Sequence, residues 1–363
     1  MNSSKEELIR NFDSSGVGSS NSGIFGLPFL YEHAEVVIIP VPWDLTVSYL
    51  AGTANGPEAI RQYASQIDLF DWEIAQAWQL GIFMQDPIAG MKERGQELRK
   101  KVARYIQYLE TSGEQKDLPD WAREILAKAN KAGEFSKQQV FAQANAILND
   151  GKLPIVLGGD HSSPLGLIEA LAQQYSAFGI LQIDAHLDLR KAYEGFENSH
   201  ASIMYNAMKL PQVSALVSVG IRDFCEDEVR LIEEQNGRIV CHYDQEYKNE
   251  HLAGTLNWSD KCSQIISELP ENVYVSFDID GLQPFLCPDT GTPVPGGLTF
   301  EEASMLLSKL AASGKKIIGA DLCEVSLGEK YPLSDSAKEW NANVGARILY
   351  KLCNYMGRSN ELI

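Results

Sequence analysis

The sequence predicts an α/β fold in which a parallel sheet is covered by helices on both faces. Short β-branched runs such as Val36 to Val41 and Val273 to Phe277 are apolar almost throughout rather than alternating, as strands buried on both faces must be. Stretches with helical signals separate these runs, so right-handed strand–helix–strand crossovers follow.

Taken in order, residues 1–23 are expected to form a flexible tail. Ser14 to Gly23 (SSGVGSSNSG) holds too little apolar side chain to offset the entropy lost on ordering. Residues 24–363 are expected as one domain. Val36 to Val41 is its first strand, and Gly56-Pro57-Glu58 places proline at the first position of the next helix. Between Gly90 and Gly133 the alternation breaks. There Leu98, Val102, Tyr105, Ile106 and Leu109 recur at helical spacing, and Leu118-Pro119-Asp120-Trp121 opens a second helical segment. A helical insertion over about 91–136 is therefore expected, either as surface decoration or as an element that shapes a site or an oligomer contact. Further strands are expected at Pro154 to Leu157, Gly179 to Asp184, Ala215 to Ile221, Arg238 to Tyr243, Val273 to Asp280 and Lys316 to Ala320. Thr299, followed three residues later by Glu302, caps the helix before the last of these.

Composition narrows the function. The 363 residues, 44% hydrophobic and 22% charged, are those of an ordinary globular chain with a large core. A net charge of −18 repels phosphate backbones and anionic lipid, which argues against nucleic acid or membrane surfaces as partners. No run of 18 apolar residues occurs, and residues 1–23 lack the apolar stretch of a secretory signal, so a cytoplasmic location is expected. The six cysteines are widely spaced without CxxC and read as reduced thiols.

Three histidines follow expected strands closely: His161 in GGDHS, His186 in DAHLD and His200 in SHA. In Asp184-x-His186-x-Asp188 a spacing of two turns three ligand-type side chains to one side of extended chain. The same spacing recurs in Asp278-x-Asp280. Sites in open α/β sheets lie beyond the carboxyl ends of the strands, so these segments should face one crevice. Four carboxylates, Asp184, Asp188, Asp278 and Asp280, would repel one another there unless cations intervened. Two divalent ions match their charge, and the imidazoles of His161 and His186 complete a nitrogen and oxygen donor set that suits Mn²⁺, Ni²⁺, Fe²⁺ or Zn²⁺.

The strings LGGDHS (157–162), DAHLD (184–188), SFDIDGL (276–282) and TGTPVPGG (290–297) resemble the ureohydrolase family of arginases, agmatinases and guanidine hydrolases. The resemblance runs from about Val36 to Leu352. It implies a three-layer α/β/α fold around a mostly parallel eight-stranded sheet, assembled as a homotrimer or homohexamer, with two divalent metal ions, Mn²⁺ or Ni²⁺, per chain. By matching position, it implies one metal on His161, Asp184, Asp188 and Asp278 and the other on His186, Asp184, Asp278 and Asp280, with Asp184 and Asp278 bridging. Glu324 in ADLCEV resembles the family's guanidinium-binding glutamate.

A guanidinium carbon is a weak electrophile, so its attack requires hydroxide, and the amine leaves only when protonated. Asp280 is the candidate to accept the proton released on attack, and His200 the candidate to carry it to the leaving nitrogen. Thr292 is placed for a supporting substrate contact or a turn, and Arg222-Asp223 for a structural pair or a substrate contact.

The loop Leu189 to Ser199 (LRKAYEGFENS) lacks the hydroxyl-rich pattern with which arginases hold an α-carboxylate. Its Tyr193, Glu194, Phe196 and Glu197 favour a cation, such as agmatine or free guanidine, with Glu194 as a substrate contact. Arg190 and Lys191 keep guanidinobutyrate or formimidoylglutamate open as substrates. Arginine as substrate stays open too, as does a catalytically inactive metal-binding protein that serves assembly. Trp43 and Tyr49 either narrow the pocket towards guanidine or pack the helix that begins at Gly56.

Overall fold

The computed structural model describes residues 4–17, 22–112, 117–328 and 336–363. Residues 1–3 and 18–21 of the expected tail and 113–116 of the expected insertion lie outside the described residues.

Eight strands, β1 (Val36–Val41), β2 (Ile82–Met84), β3 (Leu153–Gly158), β4 (Phe178–Ile183), β5 (Val213–Ile221), β6 (Ile239–Tyr243), β7 (Asn272–Asp278) and β8 (Lys316–Cys323), form one sheet in the order β2-β1-β3-β8-β7-β4-β5-β6. Every pairing in it is parallel. The helices are α1 (Lys5–Asn11), α2 (Gly56–Ala64), α3 (Met91–Ser112), α4 (Asp120–Asn149), α5 (Leu165–Gln174), α6 (Ile203–Ala207), α7 (Glu226–Glu234), α8 (Asp244–Leu252), α9 (Trp258–Ser267), α10 (Phe300–Ala312) and α11 (Ser336–Ser359).

The period of two in extended chain sends alternate strand residues to opposite faces. In β1, Val36 and Ile38 enter one core while Val37, Ile39 and Val41 enter the other. Ile265 of α9, Leu306 and Leu307 of α10 and Ile348 of α11 close the first core, and Ala144 of α4, Leu167 of α5 and Met204 of α6 close the second. The architecture is thus the expected three-layer α/β/α sandwich.

Three departures from expectation have local causes. The sequence does not foresee β2, which has three residues at the sheet edge and one strand neighbour, too short to show a pattern. β7 stops at Asp278 rather than Asp280, because the Asp278 side chain accepts the Asp280 N–H and turns the chain into a 3-10 helix at Ile279–Gly281. Within the expected tail, Lys5–Asn11 is a helix with a reciprocal Ser4–Glu7 capping box. It is docked by the Lys5 ammonium, which donates to the Leu80 carbonyl at 2.8 Å, and by Phe12 against Trp78.

The stretch expected as an insertion holds α3 and the first part of α4. That part of α4 buries Ala122, Ala129 and Ala132, and α4 continues through buried Val140, Ala144 and Ile147 to Asn149, just ahead of β3. It therefore serves as the crossover that covers the sheet.

Candidate active site

The central strands β3, β8, β7 and β4 are neighbours, so parallel pairing gathers their carboxyl ends. His161 lies just beyond β3, Asp184 follows β4, Asp278 ends β7 and Glu324 follows β8. The turn after β3 requires glycine: a Cβ on Gly159 would sit 1.8 Å from the Trp43 carbonyl oxygen. This close approach lets Asp160 N–H donate to that same oxygen at 2.7 Å, and Glu324 N–H to the Gly159 carbonyl at 2.8 Å. Asp188 (φ 53) and Glu324 (φ 63) both hold left-handed backbone, a strain that persists only where surrounding contacts enforce it.

His161 decides what the cluster can do. The Ser276 hydroxyl donates its proton to Asp321 Oδ2 at 2.9 Å, so the Ser276 oxygen must accept from His161 Nε2, also at 2.9 Å. With the ring neutral, as a metal-ligating imidazole must be, Nδ1 is a lone pair. It is buried without a hydrogen-bond partner, while Asp188 Oδ2 (3.0 Å), Asp184 Oδ2 (3.1 Å) and Asp278 Oδ2 (3.2 Å) surround it. The three carboxylates hold His161 well above the usual histidine range, so positive charge belongs between them and Nδ1, either as the ring's own proton or as a metal ion.

Asp184 links this cluster to a second. Its Oδ2 belongs to the His161 group, and its Oδ1 lies 3.6 Å from His186 Nδ1, which is 3.1 Å from Asp280 Oδ2. His161, Asp184 and Asp278 form one group that could hold a metal ion, and Asp184, His186 and Asp280 form another. Neighbours fix the donors: Gln182 donates to Asp184 Oδ2 at 3.0 Å and is itself held by Ser218, while Ala185 N–H donates to Asp280 Oδ1 at 3.0 Å. Burial, with Asp280 and Asp184 close by, holds the Asp278 carboxyl well above the usual range. Burial beside Asp184 pushes Asp188 up to about 7. Both shifts mark a site short of positive charge.

A cavity of about 140 Å³ opens over these groups. His161, His186, Asp188, Asp278 and Asp280 line it together with Glu324, His200 and Thr292, and Ser48, Arg190, Tyr193, Ala201, Asp223 and Glu228 complete its wall. Glu324 Oε1 accepts the His161 N–H at 2.8 Å, its carbonyl accepts the Thr290 hydroxyl at 2.8 Å, and burial near Asp160 raises its carboxyl well above the usual range. Burial is the main cause that lowers His200, to about 3.

Glu194 is not among the residues lining this cavity; the left-handed turn at Glu194 (φ 53) and Gly195 (φ 84) carries it into an adjoining cleft. Trp43 is buried against Gly95 of α3, and Tyr49 is exposed, so neither narrows the cavity. Arg222 donates to the Val294, Gly220, Asp280 and Leu282 carbonyls and braces the loop behind Asp280, while Asp223 reaches the cavity wall. Ser276, Asp321, Gln182 and Thr290 support the site; Ser276, Thr290 and Asp321 lie within the motif strings but no role could be read for them there, and Gln182 lies outside those strings.

The family model described as the arginase family matches residues 34–354. The chain belongs to the arginase family. The N(1)-aminopropylagmatine ureohydrolase of Synechocystis sp. is 29% identical to this arginase-family chain over 339 residues, covering 91% of it and 92% of its relative. An enzyme of that name from Thermus thermophilus is 31% identical over 82% of this chain and 84% of its own. The crystal structure of the agmatine ureohydrolase of Thermoplasma volcanium shares the fold, with a TM-score of 0.68 at 23% identity over 98% of this chain and 99% of that one. Among the described residues no helix is long and apolar enough to cross a membrane.

Proposed function

We propose that this chain is a binuclear-metal ureohydrolase that cleaves a guanidinium C–N bond to release urea, with a guanidino amine of the agmatine type as its substrate. The observation that carries this reading is the buried His161 Nδ1 among three carboxylates, joined through Asp184 to the His186–Asp280 group on a cavity floor that also holds Glu324 and His200. Nitrogen and oxygen donors without thiolate suit Mn²⁺ or Ni²⁺. One ion would rest on His161, Asp184, Asp188 and Asp278, the other on Asp184, His186, Asp278 and Asp280. Two such ions would supply hydroxide near neutral pH and would offset the carboxylate charge.

The chain's own residues do the rest. Glu324 is anchored through Oε1 by the His161 N–H, and it grips the guanidinium by charge-assisted hydrogen bonds, with Thr292 beside it. Asp280 has Oδ1 held by Ala185 N–H and Oδ2 towards His186, and it takes the proton released on attack. His200, kept neutral by burial, accepts that proton and, as a strong acid once charged, passes it to the departing nitrogen.

Support for an agmatine-type substrate comes from the cavity wall and from the relatives. Asp223 and Tyr193 offer a carboxylate and an aromatic ring to a cationic tail. The argument for a pocket closed down to free guanidine falls with the positions of Trp43 and Tyr49. Urea release from agmatine, arginine and guanidine, after loading with Mn²⁺ or with Ni²⁺, tests the reading. Agmatine should exceed arginine by about 10² or more in kcat/KM, the usual discrimination when a carboxylate finds no partner. Efficient arginine turnover overturns the substrate class, and no urea from any of the three overturns the activity.

A further inference from the structure

The helix pair α3–α4 reaches the loop Leu189 to Ser199 along one face. Leu126, Asn130 and Gly133 of α4 are spaced by four and by three residues, so they share a side of the helix, and all three meet the loop. A Cβ on Gly195 would sit 2.9 Å from Leu126, and one on Gly133 would sit 3.1 Å from the Asn198 Cβ. Between these two close approaches the Asn130 amide is used at both ends. Its nitrogen donates to the Gly195 carbonyl at 3.2 Å, and its oxygen accepts the Glu197 N–H at 3.0 Å. From α3, Tyr105 donates its hydroxyl to the Glu194 carbonyl at 2.7 Å and sets its ring edge-on to Phe196, with centroids 5.5 Å apart.

These contacts impose a turn that the loop would not keep alone. Glu194 (φ 53) holds left-handed backbone, which a residue other than glycine retains only where its surroundings enforce it. The Phe196 N–H closes the turn on the Tyr193 carbonyl at 2.8 Å, and this fixes where the Tyr193 side chain leaves the loop. Tyr193 in turn meets His200: their ring centroids are 6.1 Å apart and their planes cross at 77°. His200 has little else to orient it. Among the described residues one polar neighbour reaches its ring nitrogens, Ser199 Oγ at 3.5 Å from Nδ1, too long to fix a ring. Tyr193 and His200 both line the metal cavity, whereas Tyr105 and Asn130 do not.

We propose that the α3–α4 pair aims the proton-carrying histidine: Asn130, together with Tyr105, is a positioning residue that acts through Tyr193 on His200. This rests on the ureohydrolase reading above and deepens it. The two helices are then a working part of the site, although neither supplies a group that touches substrate.

Asn130→Ala and Tyr105→Phe are each made in wild type and in His200→Asn, and kcat for urea release from agmatine is compared at two bound metal ions per chain. Misplacing a reacting group by about 1 Å costs about 10²-fold, so Asn130→Ala in wild type should lower kcat about 10- to 100-fold. Tyr105→Phe deletes one hydroxyl and keeps the ring, so it should lower kcat by less, about threefold or more, and it carries the test if Asn130→Ala does not fold. In His200→Asn either change should cost less than about twofold, because the group it aims is already gone. Equal losses in both backgrounds overturn the proposal, as does no loss in wild type. If agmatine, arginine and guanidine all yield no urea, the ureohydrolase reading fails, and the positioning is read instead from imidazole C–H signals in NMR spectra of protein loaded with diamagnetic Zn²⁺. The His200 signal, identified by its loss in His200→Asn, should move in Asn130→Ala as the Tyr193 ring shifts beside it, while that of His242, held by Glu268, stays in place. A His200 signal that does not move, or one that moves together with that of His242, overturns the proposal.

Discussion

Removing the Ser276 hydroxyl should uncouple one metal from the other. In Ser276→Ala, Asp321 keeps the Tyr274 hydroxyl at 2.6 Å and the Phe277 N–H at 3.2 Å, so it is not orphaned. His161 is: its Nε2 loses the acceptor at 2.9 Å, and the nearest remaining one, Asp321 Oδ1, lies at 3.8 Å. The ring is then free to turn or to place its proton on Nδ1, against the ion. Loss of an outer hydrogen bond to a ligating histidine typically lowers metal affinity about 10- to 100-fold, or about 1.4–2.8 kcal/mol. Only the ion on His161 should feel this, because the Asp184–His186–Asp280 group keeps its supports from Gln182 and Ala185. Stepwise competition with a chelator, followed by metal analysis, separates the two affinities. One weakened ion and one unchanged ion are expected. Equal weakening of both, or none, would refute the assignment of the His161 tautomer and with it the reason for placing a cation there.

Other consequences follow from the same geometry. His200→Asn should keep its metals but slow urea release by about 10² to 10⁴-fold, the usual loss for a removed general acid or base; an unchanged rate returns His200 to a structural role. Glu194 has its carboxyl pushed up from 4.5 to about 7 by burial and by Glu110, so the folded state binds this proton more tightly. The stability it contributes is therefore full below about pH 4.5 and is lost as pH rises to about 7. Thermal melts should show Glu194→Gln gaining on wild type across that interval by on the order of 1 kcal/mol after discounting for partial exposure, and a pH-independent difference contradicts this. Gly159→Ala should destabilise the fold strongly, since its Cβ would overlap the Trp43 carbonyl and displace the turn bearing His161; a melting temperature within a degree of wild type would show that the turn relaxes freely.

The sheet is legible in the sequence because both faces of its strands are buried, which writes a continuous apolar run at each of β1, β3, β4 and β7. The donor residues are legible for a related reason: Asp184, His186, Asp188, Asp278 and Asp280 follow those runs at a spacing of two, and the strand order brings their ends together. The supporting relay is not. Ser276 and Asp321 sit inside β7 and β8, side by side in the register, where a polar residue within an apolar run has no periodic signature and its partner is remote in sequence. The place of Glu194 is hidden because its side chain is steered by a left-handed turn and by contacts from Tyr105 and Asn130, both far away in the chain. The capping box of α1 is readable at Ser4 and Glu7, but the composition of the following segment outweighs it.

Urea released from agmatine, measured as divalent metal is added back stepwise to the stripped protein, tests the central claim most directly. Two donor groups sharing Asp184 predict activity that rises with metal bound and saturates at two ions per chain, with Asp184→Asn binding neither tightly and releasing no urea. Full activity at one bound ion, or urea release by Asp184→Asn at the wild-type rate, would contradict a shared binuclear centre.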